Sequence, residues 1–324
     1  MGGSGVMLVA LGTPSVPTAP AVRRFLREFL SDPVVVDAPR LPWRVFLETV
    51  ILPRRARRVA SAYRSIWTPE GSPLLVTTLR QATALEETLA RRSGRTIPVA
   101  AGMRYGEPSL RRALDTLATA GCRRIAVLPL FPQFSGTTTG SVLARLERLR
   151  RSRPGLELAT VREYATAPGY VEALAASVRE HRRAHGPSRR LLVSFHGIPV
   201  RYAERGDPYP AQCRQTAEAL ASALGLAPDE WAMAYQSRFG RQPWLGPDTF
   251  EILESWGREG ISPVDVICPG FPADCLETLE EIAVRGRDRY LSAGGGSFRF
   301  VPALGDRQDH IEALADLAVR NLGV

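Results

Sequence analysis

The stretch LLVSFHGIP, residues 191–199, decides how this chain is interpreted. Its first five residues are mostly apolar and predict a short buried strand, which breaks at His196-Gly197. A histidine that ends a strand lies at the carboxyl edge of its sheet, where open α/β sheets bind ligands. Imidazole also suits proton transfer or metal binding near neutral pH. A single histidine of this kind more often only caps a turn, so the rest of the chain has to decide between the two interpretations.

Short apolar strands alternate with amphipathic helices on both sides of this stretch. The strands are predicted at 6–11, 96–103, 124–130, 156–161, 191–195, 231–235, 264–268 and 298–301. The helices are predicted at 21–30, 41–52, 72–91, 110–120, 141–150, 171–185, 211–224, 249–259, 274–285 and 308–321. This alternation is typical of parallel sheets. It predicts two Rossmann-like, doubly wound α/β domains with a ligand cleft between them.

The domain boundaries follow from a break near the middle of the chain, at Ser152-Arg153-Pro154-Gly155. We predict an N-terminal α/β domain over 1–154 and a C-terminal α/β domain over 155–305. Residues 306–324 are predicted to form a last helix that packs back on the body. A chain of 324 residues with 44% hydrophobic content is long and apolar enough to form two hydrophobic cores.

The charge and cysteine content limit the possible functions. All 42 basic residues are arginine, and the net charge of +9 favours anionic partners. No recognition-helix signature, zinc-finger spacing or aromatic-basic pattern is present, so nucleic acid is not an expected partner. The cysteines (Cys122, Cys213, Cys268 and Cys275) form no CxxC pair and are expected to be reduced thiols. Without a secretory signal or a spanning apolar run, a cytoplasmic protein is expected.

The segment CPGFPADCLETLEEI, residues 268–282, also follows an apolar strand and brings carboxylates together. Asp274, Glu277 and Glu281 are three and four residues apart, which keeps them on one helical face. Carboxylates at a helix N-terminus often do no more than stabilise the helix by interacting with its dipole. Beside His196, the same carboxylates are positioned to accept protons or to guide a cation.

Three further segments place polar or aromatic groups after predicted strands. LPLFPQFSGTTTGS, residues 128–141, offers hydroxyls and backbone amides where a helix begins. YQSRFGRQPWLGP, residues 235–247, presents Trp244 between Pro243 and Leu245, and Arg104-Tyr105 offers a guanidinium and an aromatic ring. Together with His196 and Glu277, these groups lie on one rim of the predicted sheets and indicate one site.

An apolar stripe with arginines at its end lies at residues 41–58. Trp43, Phe46, Leu47, Val50 and Ile51 have helical spacing, and the run Arg54, Arg55, Arg57 and Arg58 follows. Two interpretations fit equally well. In the first, the stripe faces the core and has a solvated basic end. In the second, it lies on a membrane surface or forms the apolar lip of a pocket.

These motifs occur together in one order that is similar to ferrochelatases. They are LGTP, FLSDP, YRSIWTPEGSPLL, GMRYGEPS, PQFSGTTTGS, SFHGIPVRYAERGDPYPAQC, YQSRFGRQPWLGP and FPADCLETLEEI. They span nearly the whole chain, which therefore resembles the family that inserts ferrous iron into protoporphyrin in the last step of haem synthesis. The HGIP and DCLETLEE variants resemble the Gram-negative bacterial type.

The resemblance implies roles for individual residues. His196 matches the histidine that takes pyrrole protons, binds the metal, or does both, and Glu277 matches the glutamate opposite it. The other residues expected to bind the porphyrin are Arg104, Tyr105, Trp244, Ser135, Thr137 and Thr138. Residues 41–51 fall where the family has its hydrophobic lip.

The resemblance also implies the partners. Fe²⁺ and the porphyrin are substrates, and no prosthetic group is expected. Relatives with a 2Fe–2S cluster hold it mainly with cysteines of a C-terminal extension, whereas no cysteine follows Cys275 here, so no cluster is predicted. Some relatives continue the row of carboxylates one turn past Glu281, but this chain has Arg285 there.

Two alternative functions remain open from the residues. One is a cobalt or nickel chelatase for sirohydrochlorin-type tetrapyrroles, whose many carboxylates call for a more polar pocket. The other is a porphyrin or haem carrier that binds the ring without inserting metal. For the intact protein we expect a monomer or weak dimer, with peripheral contact to the inner membrane surface.

Overall fold

The chain folds into two compact units. The structure, a computed structural model, describes residues 3–238, 240 and 242–323. Unit 1 comprises the chain up to Phe131, Ser135–Glu163, and the chain from Gly305 onward. Unit 2 comprises Pro132–Phe134 and Tyr164–Leu304.

Eight strands and the helices between them alternate along the described residues. The strands are β1 (Gly3–Gly12), β2 (Val99–Tyr105), β3 (Cys122–Pro129), β4 (Glu157–Thr160), β5 (Arg190–His196), β6 (Trp231–Gln236), β7 (Val264–Ile267) and β8 (Phe298–Val301). The α-helices are α1 (Ala19–Leu30), α2 (Arg40–Phe46), α3 (Leu52–Ile66), α4 (Pro73–Ser93), α5 (Leu110–Thr119), α6 (Ser141–Arg150), α7 (Pro168–His185), α8 (Val200–Glu204), α9 (Tyr209–Leu224), α10 (Thr249–Arg258), α11 (Arg287–Ser292) and α12 (Gln308–Leu322). Three segments are π-helical: π1 (Leu47–Ile51), π2 (Gly136–Gly140) and π3 (Leu276–Gly286).

The sheet of unit 1 is parallel, with the strand order β2-β1-β3-β4. Met7 and Val9 pack with side chains of α5 and α6 on one face. Val6 and Leu8 alternate with them and are also fully buried, so both faces are covered. Each such fully buried aliphatic side chain contributes roughly 1.5–3 kcal/mol to folding.

The sheet of unit 2 has the same design, with all strands parallel in the order β6-β5-β7-β8. Leu192, Val264 and Val266 pack with Trp256 and Tyr290 in its core. β5 is central, and its pairing with β6 sets His196 opposite Gln236. The prediction of two parallel α/β domains is therefore confirmed.

The division of the chain differs from the predicted boundary after residue 154. β4 hydrogen-bonds to β3, with Ile125 opposite Leu158, so this strand belongs to unit 1. Apart from the short segment Pro132–Phe134, unit 2 begins only at Tyr164. The break at 152–155 is thus a turn within unit 1. α12 also belongs to unit 1, because it packs on α4 and β3.

The predicted apolar stripe at 41–52 is helical but does not have one environment. α2 and π1 are followed directly by α3, so the arginine run 54–58 lies inside a helix that the sequence did not predict. Leu47 and Leu52 are fully buried, whereas Leu41, Val45 and Phe46 are exposed. The stripe therefore contributes to the core at one end and carries exposed apolar side chains at the other.

In the described residues, no helix has both the length and the apolar character that a membrane span requires.

Candidate active site

His196 ends β5 and has one ring nitrogen fixed. Its side chain is half-buried, and Nδ1 lies 2.6 Å from the carbonyl oxygen of Gly197. A carbonyl only accepts hydrogen bonds, so Nδ1 carries the proton in the neutral ring and donates it to Gly197. Nε2 is then the basic nitrogen, which is the one able to accept a proton or bind a metal.

Gln236 links the strand ends to the helix that carries Glu277. Its side-chain oxygen accepts hydrogen bonds from Ser194 Oγ at 2.7 Å and Cys268 Sγ at 3.5 Å. Its Nε2 donates to the backbone oxygen of Glu277 at 2.6 Å. Gln236 is 1% exposed and lies opposite His196 in the sheet. It therefore connects the strand that carries His196 to the helix that carries Glu277.

Glu277 lies in the first turn of π3 and is half-buried. Cys275 is the N-cap of this helix, and its backbone N–H donates to Thr278 Oγ1 at 3.0 Å. Thr278 in turn donates to Asp274 Oδ1 at 2.8 Å, so the Asp274 carboxylate stabilises the N-terminus of the helix. Burial raises the pKa of the Asp274 carboxyl, against the hydrogen bonds from Thr278 and Ala303. The predicted row of carboxylates therefore begins at Glu277, because the Asp274 carboxylate already accepts hydrogen bonds from Thr278 and Ala303.

Glu281 is the buried carboxylate one turn further along π3. Its oxygens accept hydrogen bonds from the backbone N–H of Ser237 at 2.8 Å and from Ser237 Oγ at 2.6 Å. Burial raises the pKa of the Glu281 carboxyl; the Ser237 bonds and the nearby His196 oppose this rise, and Glu277 adds to it. His196, Glu277 and Glu281 thus lie close enough for their charges to interact.

Ser237 has a backbone conformation that fits this role. Its φ is +67°, in the left-handed region, which is uncommon for residues other than glycine. Such strain persists where surrounding structure enforces it and often marks functional sites. Neither Ser237 nor Gln236 was singled out from the sequence, although both follow directly from the strand end at Tyr235.

Trp244 packs against the turn that follows His196. Backbone hydrogen bonds join Val200 N–H to Pro243 and Leu245 N–H to Ile198, each at 3.0 Å. A Cβ placed on Gly197 would lie 3.3 Å from the Trp244 ring and 3.0 Å from the carbonyl oxygen of Gln236. The structure therefore brings Trp244 to the His196 end of unit 2. Phe239 and Arg241 of that motif lie outside the described residues.

Arg104 and Tyr105 end β2 in unit 1, and both are buried in a polar cluster. Arg104 donates through Nη2 to Asp32 and through Nε to Ser141 Oγ at 2.7 Å. The hydroxyls of Tyr105 and Ser141 donate to the same Asp32 oxygen, at 2.8 and 2.7 Å. Tyr105 is 1% exposed. This burial does not fit a guanidinium and a ring presented directly to a ligand, because the carboxylate of Asp32 already occupies them.

Ser135, Thr137 and Thr138 form the start of π2. Ser135 is buried, and its Oγ accepts a hydrogen bond from the Thr137 backbone N–H at 3.2 Å. Thr138 Oγ1 donates to the Ser135 carbonyl at 3.4 Å, and both threonines are half-buried. Ser135 is thus a helix cap, whereas Thr137 and Thr138 retain accessible surface.

The site offers few metal donors. Within residues 3–238, 240 and 242–323, no three His, Cys, Asp or Glu side chains are grouped in a way that could hold a metal ion. His196 Nε2 and the Glu277 carboxylate remain a mixed N/O pair of candidate donors.

Comparison with known proteins identifies the family. The ferrochelatase family model matches residues 3–322. The chain belongs to the ferrochelatase family. It is 49% identical over 319 residues to the ferrochelatase of Stenotrophomonas maltophilia, covering 98% of each chain. It is 50% identical over 317 residues to that of Klebsiella pneumoniae, covering 97% of each. The family and Gram-negative type predicted from the motifs are thereby confirmed.

The solved structures bear on the fold. The sirohydrochlorin chelatase SirB of Bacillus subtilis subspecies spizizenii, in complex with cobalt, matches with a TM-score of 0.58. The match covers 99% of this chain and 96% of SirB at 10% identity. At that identity the likeness shows a shared chelatase fold and no more. Ferrochelatases are near 50% identical to this chain, so the sirohydrochlorin alternative is not favoured.

Proposed function

We propose that this protein inserts Fe²⁺ into protoporphyrin IX, using His196 and Glu277 of unit 2. Membership of the ferrochelatase family gives the enzyme class, a metal chelatase of haem synthesis. One observation carries the assignment of residues: the hydrogen bond from His196 Nδ1 to Gly197 leaves Nε2 basic beside the carboxylates of π3.

The reaction replaces two pyrrole protons by one ferrous ion. A flat porphyrin hides its nitrogen lone pairs, so the ring has to buckle before metal can enter. A site that fits the buckled ring stabilises the transition state more than the flat ground state. In this proposal Trp244 packs on the macrocycle.

His196 and the π3 carboxylates divide the remaining work. Neutral His196 accepts a pyrrole proton at Nε2. Glu277 removes protons from the site or delivers iron, and Glu281, fixed by Ser237, extends this row. A mixed N/O pair suits an ion that has to be released into the ring, because a thiolate cage would retain it. Arg104 and Tyr105 do not contact the porphyrin in this proposal. They hydrogen-bond to Ser141, which directly follows π2.

His196→Ala tests this function. We expect iron insertion to fall at least about 100-fold, the loss typical of a missing general base, while the porphyrin still binds. The assay follows the loss of porphyrin fluorescence on anaerobic addition of Fe²⁺, and porphyrin binding is measured without iron. His185→Ala, at an exposed histidine, is the control. Near-normal turnover of the His196 variant would refute the assignment.

We also propose that the exposed part of the 41–58 stretch contacts an anionic membrane surface, as expected for a cytoplasmic protein with a lipophilic substrate. Leu41, Val45 and Phe46 are 78%, 64% and 48% exposed. Trp43 fixes α2 by donating from Nε1 to the Leu30 carbonyl at 2.7 Å. Exposed arginines of α2 and α3 flank these apolar side chains, the pattern of interfacial helices.

Vesicle binding tests this surface. The double variant Leu41→Ser and Phe46→Ser should lose more than half of the binding to vesicles containing phosphatidylglycerol, because apolar contact and charge act together. Co-sedimentation measures the bound fraction. Leu79→Ser on α4, at another exposed leucine, is the matched control. Equal binding of all three proteins, or no binding of the wild type, would contradict the proposal.

Two expectations stay predictions. All four cysteines are free and buried, and we expect the absorption spectrum of the purified protein to show no 2Fe–2S cluster. We expect sedimentation to show a monomer or weak dimer.

A further inference from the structure

A row of charged side chains extends along π3 from the candidate site toward solvent. Hydrogen bonding from i to i+5 gives more than four residues per turn, so residues four apart remain close to one stripe. Glu277, Glu281 and Arg285 occupy this stripe. Glu277 is half-buried, Glu281 is buried, and the Arg285 side chain is 50% exposed. The stripe therefore changes sign at its outer end.

Arg285 is held against both neighbouring carboxylates. Its Nε donates to Glu280 Oε2 at 3.0 Å, and its Nη2 lies 3.9 Å from Glu281 Oε2. Its guanidinium carbon is 5.6 Å from the centre of the Phe250 ring. A planar cation with these three neighbours stays at the outer end of the stripe.

A second guanidinium group lies near the same end of π3. Arg289, one turn further along the chain, has its guanidinium carbon 4.8 Å from the Phe250 ring centre and pairs with Glu254 at 2.7 Å. Gly286 lies close to α10, because an added Cβ would be 3.3 Å from Leu253. The outer end of π3 is thus packed and holds two guanidinium groups, each paired with a carboxylate.

We propose that Arg285 excludes divalent cations from the outer end of this stripe and confines metal binding to His196 and Glu277. This inference rests on the proposed function of that pair. A dication approaching Glu281 from solvent meets a fixed positive charge that already pairs with Glu280 and Glu281. Iron then has to reach His196 by another approach. Arg285 is in this sense a residue that selects where metal binds.

Mn²⁺ binding to the full-length protein tests the proposal without any turnover. Mn²⁺ prefers carboxylate oxygens, and electron paramagnetic resonance counts the free ion. Arg285→Glu should raise Mn²⁺ affinity at least about tenfold over the wild type, because it replaces an opposing charge with a further ligand. Arg285→Gln should give a smaller rise in the same direction.

The controls locate the effect. Arg287→Glu makes the same change of net charge at an exposed position outside the stripe and should leave Mn²⁺ affinity at the wild-type value. Adding Glu281→Gln to Arg285→Glu should abolish the gain. Equal Mn²⁺ affinity of Arg285→Glu and Arg287→Glu, or a gain that survives Glu281→Gln, would overturn the proposal. Thermal unfolding confirms that each variant is folded.

Iron insertion gives a second measurement. Millimolar Mn²⁺ should inhibit insertion more strongly in Arg285→Glu than in the wild type or Arg287→Glu. If the wild type inserts no iron, the proposed function fails, and the Mn²⁺ affinities still decide the role of Arg285. Equal inhibition of all three proteins would count against that role.

Discussion

The tautomer of His196 depends on its immediate neighbour. The Gly197 carbonyl fixes the proton on Nδ1, and the same glycine leaves room for Trp244 and the Gln236 backbone. A side chain on Gly197 would approach both contacts more closely than ordinary packing allows. One residue therefore sets the tautomer of the base and the position of the aromatic ring beside it.

Gly197→Ala should disturb this turn. We expect a loss of about 1–3 kcal/mol in the free energy of unfolding, the usual cost of overpacking, and a larger loss of iron insertion than of stability. Urea unfolding and the fluorescence assay measure the two effects. Gly270→Ala is the control, because its Cβ would meet neighbours only at 3.4 Å or more. Unchanged activity and stability of Gly197→Ala would contradict this prediction, because the turn would then accommodate the added methyl group at no cost.

Three elements of unit 1 meet at one buried carboxylate. Asp32 follows α1, Arg104 and Tyr105 end β2, and Ser141 begins α6 directly after π2. Burial alone would raise the pKa of Asp32. The bonds from the Val34 N–H, Ser141 and Tyr105, with the charge of Arg104, outweigh it and lower the pKa below its ordinary value. This cluster fixes the end of π2, which carries Thr137 and Thr138.

Asp32→Asn should therefore destabilise the protein in a pH-dependent way. The folded-state pKa of Asp32 is depressed, so the stabilisation is present above the ordinary value near 3.8 and is lost as the pH falls through the folded pKa. We expect a cost of about 3 kcal/mol at pH 7, because Arg104 loses its buried partner, and a smaller cost below pH 3.8. Urea unfolding against pH measures it. A cost that does not change with pH would contradict the charge argument.

The two units repeat one design with different chemistry. Both sheets have the same strand order, and β3 and β7 each lead through a Phe-Pro turn into a π-helix. In unit 1, Ser141 follows π2 and accepts a side-chain hydrogen bond from Arg104. In unit 2, Glu281 lies within π3 and accepts a side-chain hydrogen bond from Ser237. The predicted pair of similar halves is thus found in the topology, although the sequences show no repeat.

Much of the fold could be predicted because parallel strands leave a strong local signal. Most are short apolar runs, several of them ended or directly followed by Gly or Pro, and β8 and α6 have the predicted bounds. Helix α3 was missed because its many arginines conceal the buried positions Ala56 and Ala60. The π-helical form of π3 was missed because the side-chain pattern does not reveal a change in backbone hydrogen bonding.

The sequence by itself determined the α/β class and the family, since strand ends and motifs are local properties, and it predicted His196, Glu277 and Trp244 as site residues. Only the tertiary structure showed that Gln236 and Ser237 hold the π3 carboxylates and that Asp32 occupies Arg104. Those partners are about 40 to 110 residues apart along the chain. They meet because β5 pairs with both β6 and β7 and because β1 separates β2 from β3, and a strand order of this kind cannot be derived from any single segment.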